Sequence, residues 1–199
     1  MRNETIIMPL LNSQARIRKF FDYASFIYDL INPHIYTKEM LETLKNEIEG
    51  SKILDVGVGT GYTTMEYENT LGVDLSEKMI HKAKAKGYKG SLLVGDVMQQ
   101  SFEPETFDTI ISAGSFYYFS SPLVVLKTFH SWLRDDGIFL CITPNKKILK
   151  PLVNVYSKPE LEAMFESSNF KLEKIVELGR KSIKYAYLSK ARKAKLDVG

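Results

Sequence analysis

The sequence predicts an α/β protein built on a doubly wound, mostly parallel sheet of seven strands. Strand-length apolar runs alternate with helix-length segments over most of the 199 residues. This alternation favours parallel strands with helices on both faces of the sheet. A glycine-rich turn follows the first run, and carboxylates stand at the ends of the next two. Because the carboxyl ends of parallel strands meet at one edge of a sheet, these residues predict a ligand site there.

The periodicity of apolar residues and the positions of turn-forming residues predict where each strand and helix begins and ends. Ile53, Leu54 and Val56 suit a strand buried on both faces. Residues 182–190 alternate in polarity, which predicts a last strand with one solvated face, and Gly179-Arg180 predicts the hairpin connection before it. The predicted strands are 52–57, 70–74, 91–95, 107–112, 137–143, 170–178 and 182–190, and the predicted helices are 12–31, 37–49, 60–67, 76–86, 121–133 and 158–168.

The glycine turn Asp55-x-Gly57-x-Gly59-x-Gly61 predicts an adenosine-containing cofactor. Glycines let the backbone turn tightly and approach a ligand. A short helix from Thr60 to Glu66 would direct free amides at an anionic group. Asp74, at the end of the second strand, has an acceptor-only side chain that suits two ribose hydroxyls. The dinucleotide fingerprint is Gly-x-Gly-x-x-Gly, so the strict alternation here argues against a nicotinamide enzyme.

This turn, together with Gly72-Val73-Asp74-Leu75-Ser76, resembles the first two motifs of the class I S-adenosylmethionine (SAM) methyltransferases. Residues 93–97, 102–112 and 132–140 are similar to the passages around the family's third, fourth and fifth strands. The resemblance implies a Rossmann-like sheet of order 3-2-1-4-5-7-6, SAM as cofactor and S-adenosylhomocysteine as product. It implies cofactor contacts from Asp55, Gly57, Val58, Gly59, Gly61, Asp74, Leu75, Met79, Asp96, Val97 and Ser112.

The chain departs from the family pattern in the connection after the glycine turn. Only twelve residues lie between Gly61 and Asp74, so the helix predicted there has about two turns. We expect Met65, Tyr67 and Leu71 to fill the space with bulk.

The segment before the first strand bears on the substrate. Residues 18–33 resemble the amino-terminal lid of the methyltransferases of ubiquinone and menaquinone synthesis. Its aromatic spacing fits an ordinary amphipathic packing helix equally well. The expected organisation is one domain over residues 1–199, with a helical lid or substrate segment over 1–49 and a Rossmann-like core over 50–199. The expected acceptor is a small molecule.

Three tyrosines are the catalytic candidates, and a histidine is a further one. Tyr23, Tyr28 and Tyr117 come from segments that the family places on opposite sides of the transferred methyl group, so we hypothesise that they converge on the acceptor. His34 is a candidate base, needed only if the acceptor must lose a proton. The single cysteine, Cys141, lies in an apolar run and is expected in the core, and no metal site is predicted.

Other functions remain open at this stage. They are an RNA or protein methyltransferase, a non-catalytic SAM-binding protein and a nucleotide-dependent oxidoreductase. The net charge is +3, and six basic residues near the carboxyl end suit either phosphate contacts or a solvated strand face and tail: Lys181, Lys184, Lys190, Arg192, Lys193 and Lys195. The loop at 113–119 lacks the Asn/Asp-Pro-Pro-aromatic signature of base-modifying methylases. No apolar run suits a membrane span or a signal peptide, which predicts a cytoplasmic protein.

Overall fold

The computed structural model describes residues 10–11, 13–180 and 182–194. The helices are α1 (Gln14–Ile35), α2 (Lys38–Lys45), α3 (Glu77–Ala85), α4 (Pro122–Trp132) and α5 (Lys158–Glu166). The strands are β1 (Ile53–Val56), β2 (Thr70–Asp74), β3 (Ser91–Val94), β4 (Phe107–Ala113), β5 (Leu133–Pro144), β6 (Phe170–Arg180) and β7 (Ile183–Lys193). Single 3₁₀ turns lie at Val97–Gln99, Phe116–Tyr118 and Lys147–Leu149.

The seven strands form one sheet of order β3-β2-β1-β4-β5-β7-β6, which confirms the predicted fold class and strand order. Strands β1 to β5 pair in parallel, and β7 pairs antiparallel with both β5 and β6. The winding reverses between β1 and β4, because the chain first builds outward through β2 and β3 and then returns to the other side of β1. Ligands bind at such a reversal in open α/β sheets.

The core lies on both faces of the sheet. Ile53 packs with Met40 and Leu44 of α2, whereas its neighbour Leu54 packs with the phenylalanines under α4 and α5. Successive strand residues point to opposite faces, so a strand that is buried throughout must be apolar at nearly every position. Residues 53–56 of β1 are all buried, as their composition predicts. Cys141 is fully buried, and burial raises the pKa of its thiol to about 12.

The predicted helix over 60–67 is wrong. This stretch forms turns, with one helical bond from the Met65 amide to the Gly61 carbonyl at 3.0 Å and a tighter bond from Tyr67 to Thr64 at 3.0 Å. The chain must reach β2 within a few residues, and the Thr64 hydroxyl is held by Asp55 beneath the glycine turn, at 2.6 Å. No helix amino terminus therefore points at the ligand site from this segment.

Several boundaries also differ from the expected ones. Helix α1 continues to Ile35, beyond the expected end at 31, and α2 ends at Lys45 instead of 49. Strand β5 begins at Leu133. Strand β6 continues to Arg180, which pairs with Ile183, so Gly179-Arg180 belongs to the strand and is not the hairpin connection. Within the described residues, no helix has the length and apolar character to cross a membrane.

Phe139 tests the packing of the core beneath α4 and α5. Its ring is fully buried and lies 5.4 Å from the ring of Phe129 and 5.6 Å from that of Phe116. We expect Phe139→Ala to lower the free energy of unfolding by about 3–5 kcal/mol, because the substitution leaves a cavity. Phe26→Ala is the matched control, since Phe26 is 88% exposed, and it should change stability by less than about 0.5 kcal/mol. Urea titration measures both, and equal effects would contradict the proposed packing.

Candidate active site

The turn after β1 and the loop after β4 approach closely at the reversal point of the sheet. Gly57 has φ +71°, and a Cβ added there would lie 2.4 Å from the Ser115 Cβ. The Ser115 hydroxyl donates to the Val56 carbonyl and lies 2.5 Å from the Ser112 hydroxyl. Only glycine meets both demands at position 57, a left-handed backbone and no side chain. This contact fixes the floor of the site.

Asp74 organises the rim of that floor. Its Oδ2 accepts a hydrogen bond from the Gly59 amide at 2.8 Å, and its Oδ1 accepts one from the Ser76 amide at 2.8 Å. Burial raises the pKa of the Asp74 carboxyl to about 6, although these two hydrogen bonds oppose the shift. The group is therefore mostly ionised at neutral pH. Each carboxylate oxygen keeps a lone pair for a further donor.

A cavity of about 130 Å³, which we call the cofactor cavity, lies above the carboxyl ends of β1, β2 and β4. Asp96 lies at one side, where its carboxylate accepts from the Met98 amide at 3.0 Å and from the Gln14 side chain. Helix α1 closes the top through side chains from successive inward-facing positions. The cavity is lined by Gln14, Ile17, Phe21, Tyr28, Val56, Gly57, Gly59, Val73, Asp74, Leu75, Met79, Gly95, Asp96, Val97, Ala113, Gly114, Ser115, Tyr118, Phe119 and Ser120.

A smaller polar recess adjoins the cofactor cavity at Gly57 and Tyr28. Its lining includes the side chains of Asn32, Thr60 and Thr63. Asn32 is only 3% exposed, and its Oδ1 has no hydrogen-bond partner among the described residues. A buried amide oxygen without a partner carries a desolvation cost that a ligand donor would relieve.

A third cavity of about 320 Å³, which we call the apolar cavity, lies on the other side of Tyr118. Tyr118 lines both this cavity and the cofactor cavity, and its ring contacts Phe21 and Tyr117 at centroid distances of 5.6 Å and 4.5 Å. The apolar cavity is lined by Leu10, Leu11, Phe20, Ile35, Tyr36, Met40, Tyr117, Tyr118, Ile142, Pro144, Leu149, Leu152, Val153, Tyr185 and Ala186. Among the described residues of this lining, none carries a carboxyl or imidazole group.

The tyrosines between the cavities are neutral hydrogen-bonding groups. Burial raises the pKa of the Tyr118 hydroxyl to about 12 and raises the pKa values of Tyr28, Tyr36 and Tyr117 further. The hydroxyls of Tyr36 and Tyr117 interact by a hydrogen bond. At neutral pH these phenols can orient a ligand but do not supply a phenolate base.

The structure brings most of the predicted cofactor residues together. Those that line the cofactor cavity are Gly57, Gly59, Asp74, Leu75, Met79, Asp96 and Val97, and Val58 lines the polar recess. Three others lie behind the floor. Asp55 is 1% exposed and bound to Thr64, Gly61 faces the ring of Tyr88, and Ser112 is bound to Ser115. These three support the floor and line neither the cofactor cavity nor the polar recess.

The predicted convergence of three tyrosines is wrong. Tyr28 lines the cofactor cavity and Tyr117 lines the apolar cavity, but Tyr23 is 86% exposed on the outside of α1. His34 is also exposed and lines none of the three cavities described here. Helical geometry explains the difference, since α1 directs positions 21, 28 and 32 inward, and positions 23 and 34 lie on the opposite side.

Sequence reasoning missed Asn32 and Tyr36, and it did not include Tyr118 among the catalytic candidates. The signal for Asn32 was its spacing, because it follows Tyr28 by four residues and therefore shares its face of the helix. Tyr118 stands beside the predicted Tyr117, and no pattern in the sequence separates their two cavities. Tyr36 follows the end of α1, and only its position in space brings it to Tyr117.

Comparison with known proteins agrees with this geometry. A family model described as a methyltransferase domain matches residues 54–141, which include the glycine turn, Asp74 and Asp96. Residues 54–141 are thus similar to a methyltransferase domain. The sheet also has the strand order that the motifs predicted.

Among curated proteins, the chain is 33% identical over 138 residues to a chloroplastic 2-methyl-6-phytyl-1,4-hydroquinone methyltransferase of Oryza sativa, covering 63% of this chain and 40% of the rice protein. It is 28% identical over 180 residues to demethylmenaquinone methyltransferase of Lactococcus lactis, covering 78% of this chain and 71% of that protein. The chain thus spans less than half the length of the rice relative.

Among solved structures, the fold is similar to magnesium protoporphyrin IX methyltransferase of Synechocystis with bound S-adenosylhomocysteine. The TM-score is 0.74 at 15% identity, with 91% of this chain and 99% of that chain covered. At this identity the likeness establishes the fold alone.

The buried carboxyl of Asp55 generates a prediction about pH and stability. Burial raises its pKa to about 7, so the folded protein holds this proton more tightly than the unfolded chain does. Stability from this group is present at low pH and is lost as the pH rises from about 4 towards 7. We expect the melting temperature of the wild type to fall between pH 5 and pH 8 by several degrees more than that of Asp55→Asn.

Asp108→Asn is the control for this comparison. The pKa of the Asp108 carboxyl is lowered by hydrogen bonds from the Lys52 and Ser51 amides and by Arg134, which outweigh the opposing effect of burial, so the group stays ionised over this range. Its substitution should lower the melting temperature equally at both pH values. Parallel pH profiles for Asp55→Asn and the wild type would contradict the buried titration.

Proposed function

We propose that this protein transfers a methyl group from SAM to a small apolar acceptor by in-line displacement. The observation that carries the proposal is the shared wall at Tyr118, where a carboxylate-lined cavity meets an apolar one. Methyl transfer requires two ligands that meet at a single point, one polar and charged and the other defined by the acceptor.

The residues of the cofactor cavity suit the parts of SAM. Asp74 has free acceptor capacity for the ribose hydroxyls, and Asp96 beside Val97 offers an acceptor and an apolar surface for adenine. The polar recess suits the amino-acid end, because a donated hydrogen bond from the ammonium group would satisfy Asn32 Oδ1. The floor beneath these cofactor contacts is supported by Asp55, Gly61 and Ser112, which we propose as positioning residues.

The apolar cavity favours an acceptor with a ring or chain of hydrocarbon character. Its lining offers tyrosine hydroxyls as the side-chain polar groups, against a surface of aliphatic and aromatic residues. Two curated relatives are named for a phytyl hydroquinone and for demethylmenaquinone, which agrees with such an acceptor. The nucleic-acid alternative loses support, since Lys190 and Arg192 pair with Glu49 and Glu173. Lys181 and Lys195 lie outside the described residues.

The chemistry needs little more than alignment. SAM supplies, when bound, an electrophilic methyl group on a good leaving group. The protein holds the two ligands in line and excludes water from between them, an effect worth up to roughly 7–11 kcal/mol. Tyr117, which lines the apolar cavity, is proposed as a positioning group that hydrogen-bonds the acceptor, and Tyr28, which lines the cofactor cavity, as one that positions the cofactor. Because these phenols stay protonated, they do not act as bases. The acceptor must therefore attack the methyl group without giving a proton to them. The cytoplasmic location and the single-domain organisation stay predictions.

Asp74→Ala tests the cofactor assignment. We expect SAM affinity to fall by about 2–4 kcal/mol, roughly thirtyfold to a thousandfold, because charge-assisted hydrogen bonds to the ribose are lost. Isothermal titration calorimetry measures the change, and a thermal melt checks that the variant is folded. SAM affinity of the wild type should also weaken as the pH falls through about 6, where Asp74 becomes protonated. Unchanged affinity in Asp74→Ala, or a preference for NADH over SAM, would refute the assignment.

Asn32→Leu is the companion variant for the other end of the cofactor. It should weaken binding of SAM but leave the affinity for adenosine unchanged, because adenosine has no amino-acid end. Asp74→Ala should weaken both ligands. Equal losses of affinity for SAM and for adenosine in Asn32→Leu would show that Asn32 does not bind the amino-acid end of SAM.

Tyr117→Phe tests the positioning role in turnover. We expect a roughly tenfold to hundredfold loss of kcat on a prenylated hydroquinone acceptor, with SAM affinity unchanged, because the hydrogen bond matters chiefly in the transition state. S-adenosylhomocysteine release is the readout. Tyr23→Phe is the matched control and should retain full turnover, since Tyr23 is 86% exposed on the outside of α1. Full turnover in Tyr117→Phe as well would refute the positioning role of Tyr117 and would attribute catalysis to the proximity of the two ligands alone.

A further inference from the structure

The outside of α1 is a continuous apolar surface. We call it the outer face of α1, defined by Tyr23, Phe26, Ile27, Leu30 and Ile31. Tyr23, Phe26 and Leu30 are 86%, 88% and 74% exposed, and the other two are nearly half exposed. The spacing of three and four residues places all of them along one side of the helix. Single exposed apolar residues are ordinary, but a contiguous stripe of five marks an interaction surface.

The charges of α1 are distributed unevenly around this face. Its two carboxylates are directed at the body of the protein, where Asp22 accepts from the Ser76 hydroxyl at 2.6 Å and Asp29 accepts from the Thr60 hydroxyl at 2.8 Å. Asp29 also pairs with Lys82 and Lys86. The three cations of α1 are exposed in its first turns, at Arg16, Arg18 and Lys19. A helix with an apolar face, basic residues at one end and its carboxylates turned away suits an anionic lipid surface.

The outer face of α1 runs directly to the opening of the apolar cavity. Phe20 and Ile35, near its two ends, line that cavity while remaining 48% and 46% exposed. Across the opening, Leu10 and Leu152 also line the cavity and are 60% and 45% exposed. The opening is therefore rimmed by apolar side chains that are exposed to solvent in the isolated protein.

The turn Lys147–Leu149, which lies beside this rim, also combines an exposed apolar side chain with exposed cations. Ile148 is 85% exposed, and it is flanked by the exposed Lys146, Lys147 and Lys150. Lysines around an exposed aliphatic side chain attract a surface with anionic headgroups and place the apolar group at the boundary of the acyl chains. The rim thus has a basic, apolar element on each side.

We propose that the outer face of α1 and Ile148 dock on the surface of an anionic phospholipid bilayer. Binding is peripheral, with apolar side chains inserted at the headgroup boundary and the cations against the headgroups. The apolar cavity then opens towards the lipid, and a lipophilic acceptor reaches it without crossing water. This last step rests on the proposed methyl transfer, whereas the docking surface does not depend on it.

Vesicle flotation with the full chain tests the docking. The vesicles contain either equal parts of phosphatidylglycerol and phosphatidylcholine or phosphatidylcholine alone. We expect binding to the anionic vesicles, a roughly tenfold weaker binding to the neutral ones, and weakening of the first by salt. Phe26→Glu combined with Leu30→Glu should lower binding by roughly tenfold or more, because two inserted apolar groups become charged.

Two further variants keep the test decisive. Ile148→Glu lies on the other side of the opening and should also lower vesicle binding, which provides a second measurement if the double variant is poorly folded. Val124→Glu is the control, since Val124 is 57% exposed on α4, outside the outer face of α1, and it should bind vesicles as the wild type does.

The outcomes separate this proposal from the others. Absence of wild-type binding to anionic vesicles would overturn it, and so would binding as strong as that of the wild type in both Phe26→Glu/Leu30→Glu and Ile148→Glu. A wild-type dimer in light scattering that the double variant abolishes, without vesicle binding, would assign the face to a second copy of this chain and also overturn it. SAM affinity is measured on the same samples, so a failure of the cofactor assignment shows as lost SAM binding while vesicle binding persists.

Discussion

The close approach of the turn after β1 to the loop after β4 is the constraint on which the site depends. Ser115 occupies the volume that a side chain at position 57 would fill, and its hydroxyl bonds to the Val56 carbonyl. The contact holds together two strands whose connections leave in opposite directions along the sheet. Above it, the backbone is accessible to a ligand from the cofactor cavity on one side and the polar recess on the other. Any side chain at position 57 would force these segments apart.

Two buried carboxyl groups are placed around this contact at a cost to stability. Asp55 lies beneath the turn and Asp74 at its rim, and burial raises the pKa of both. Each is compensated by hydrogen bonds within the protein, from Thr64 to Asp55 and from two backbone amides to Asp74. Groups with strongly shifted pKa values cluster at functional sites. Here only Asp74 lines the cofactor cavity, whereas Asp55 supports the turn from beneath.

Helix α1 lies along both the cofactor cavity and the apolar cavity. Its inward side supplies Gln14 to Asp96, Phe21 to the ring of Tyr118, and Asn32 to the polar recess. Asp22 and Asp29 hold it against the turn after β1 and against α3 through hydroxyl and lysine partners. The helix therefore both packs and covers, so the two interpretations left open by its sequence are compatible. Its remaining side is free to contact a partner surface.

The sequence by itself determined the sheet and, through the family resemblance, its strand order and seven of the residues that line the cofactor cavity. Buried parallel strands need unbroken apolar runs, and a ligand turn needs glycines followed by a carboxylate, so these features are local and visible in residues such as Leu54, Gly57 and Asp74. Only the tertiary structure decided the rest. The helix expected over 60–67 does not form, because the short return to β2 and the Asp55–Thr64 hydrogen bond outweigh local helix propensity. Which tyrosines face a cavity, and that Asn32 does, depended on the rotation of α1 about its axis, which is set by contacts with residues far away in the chain.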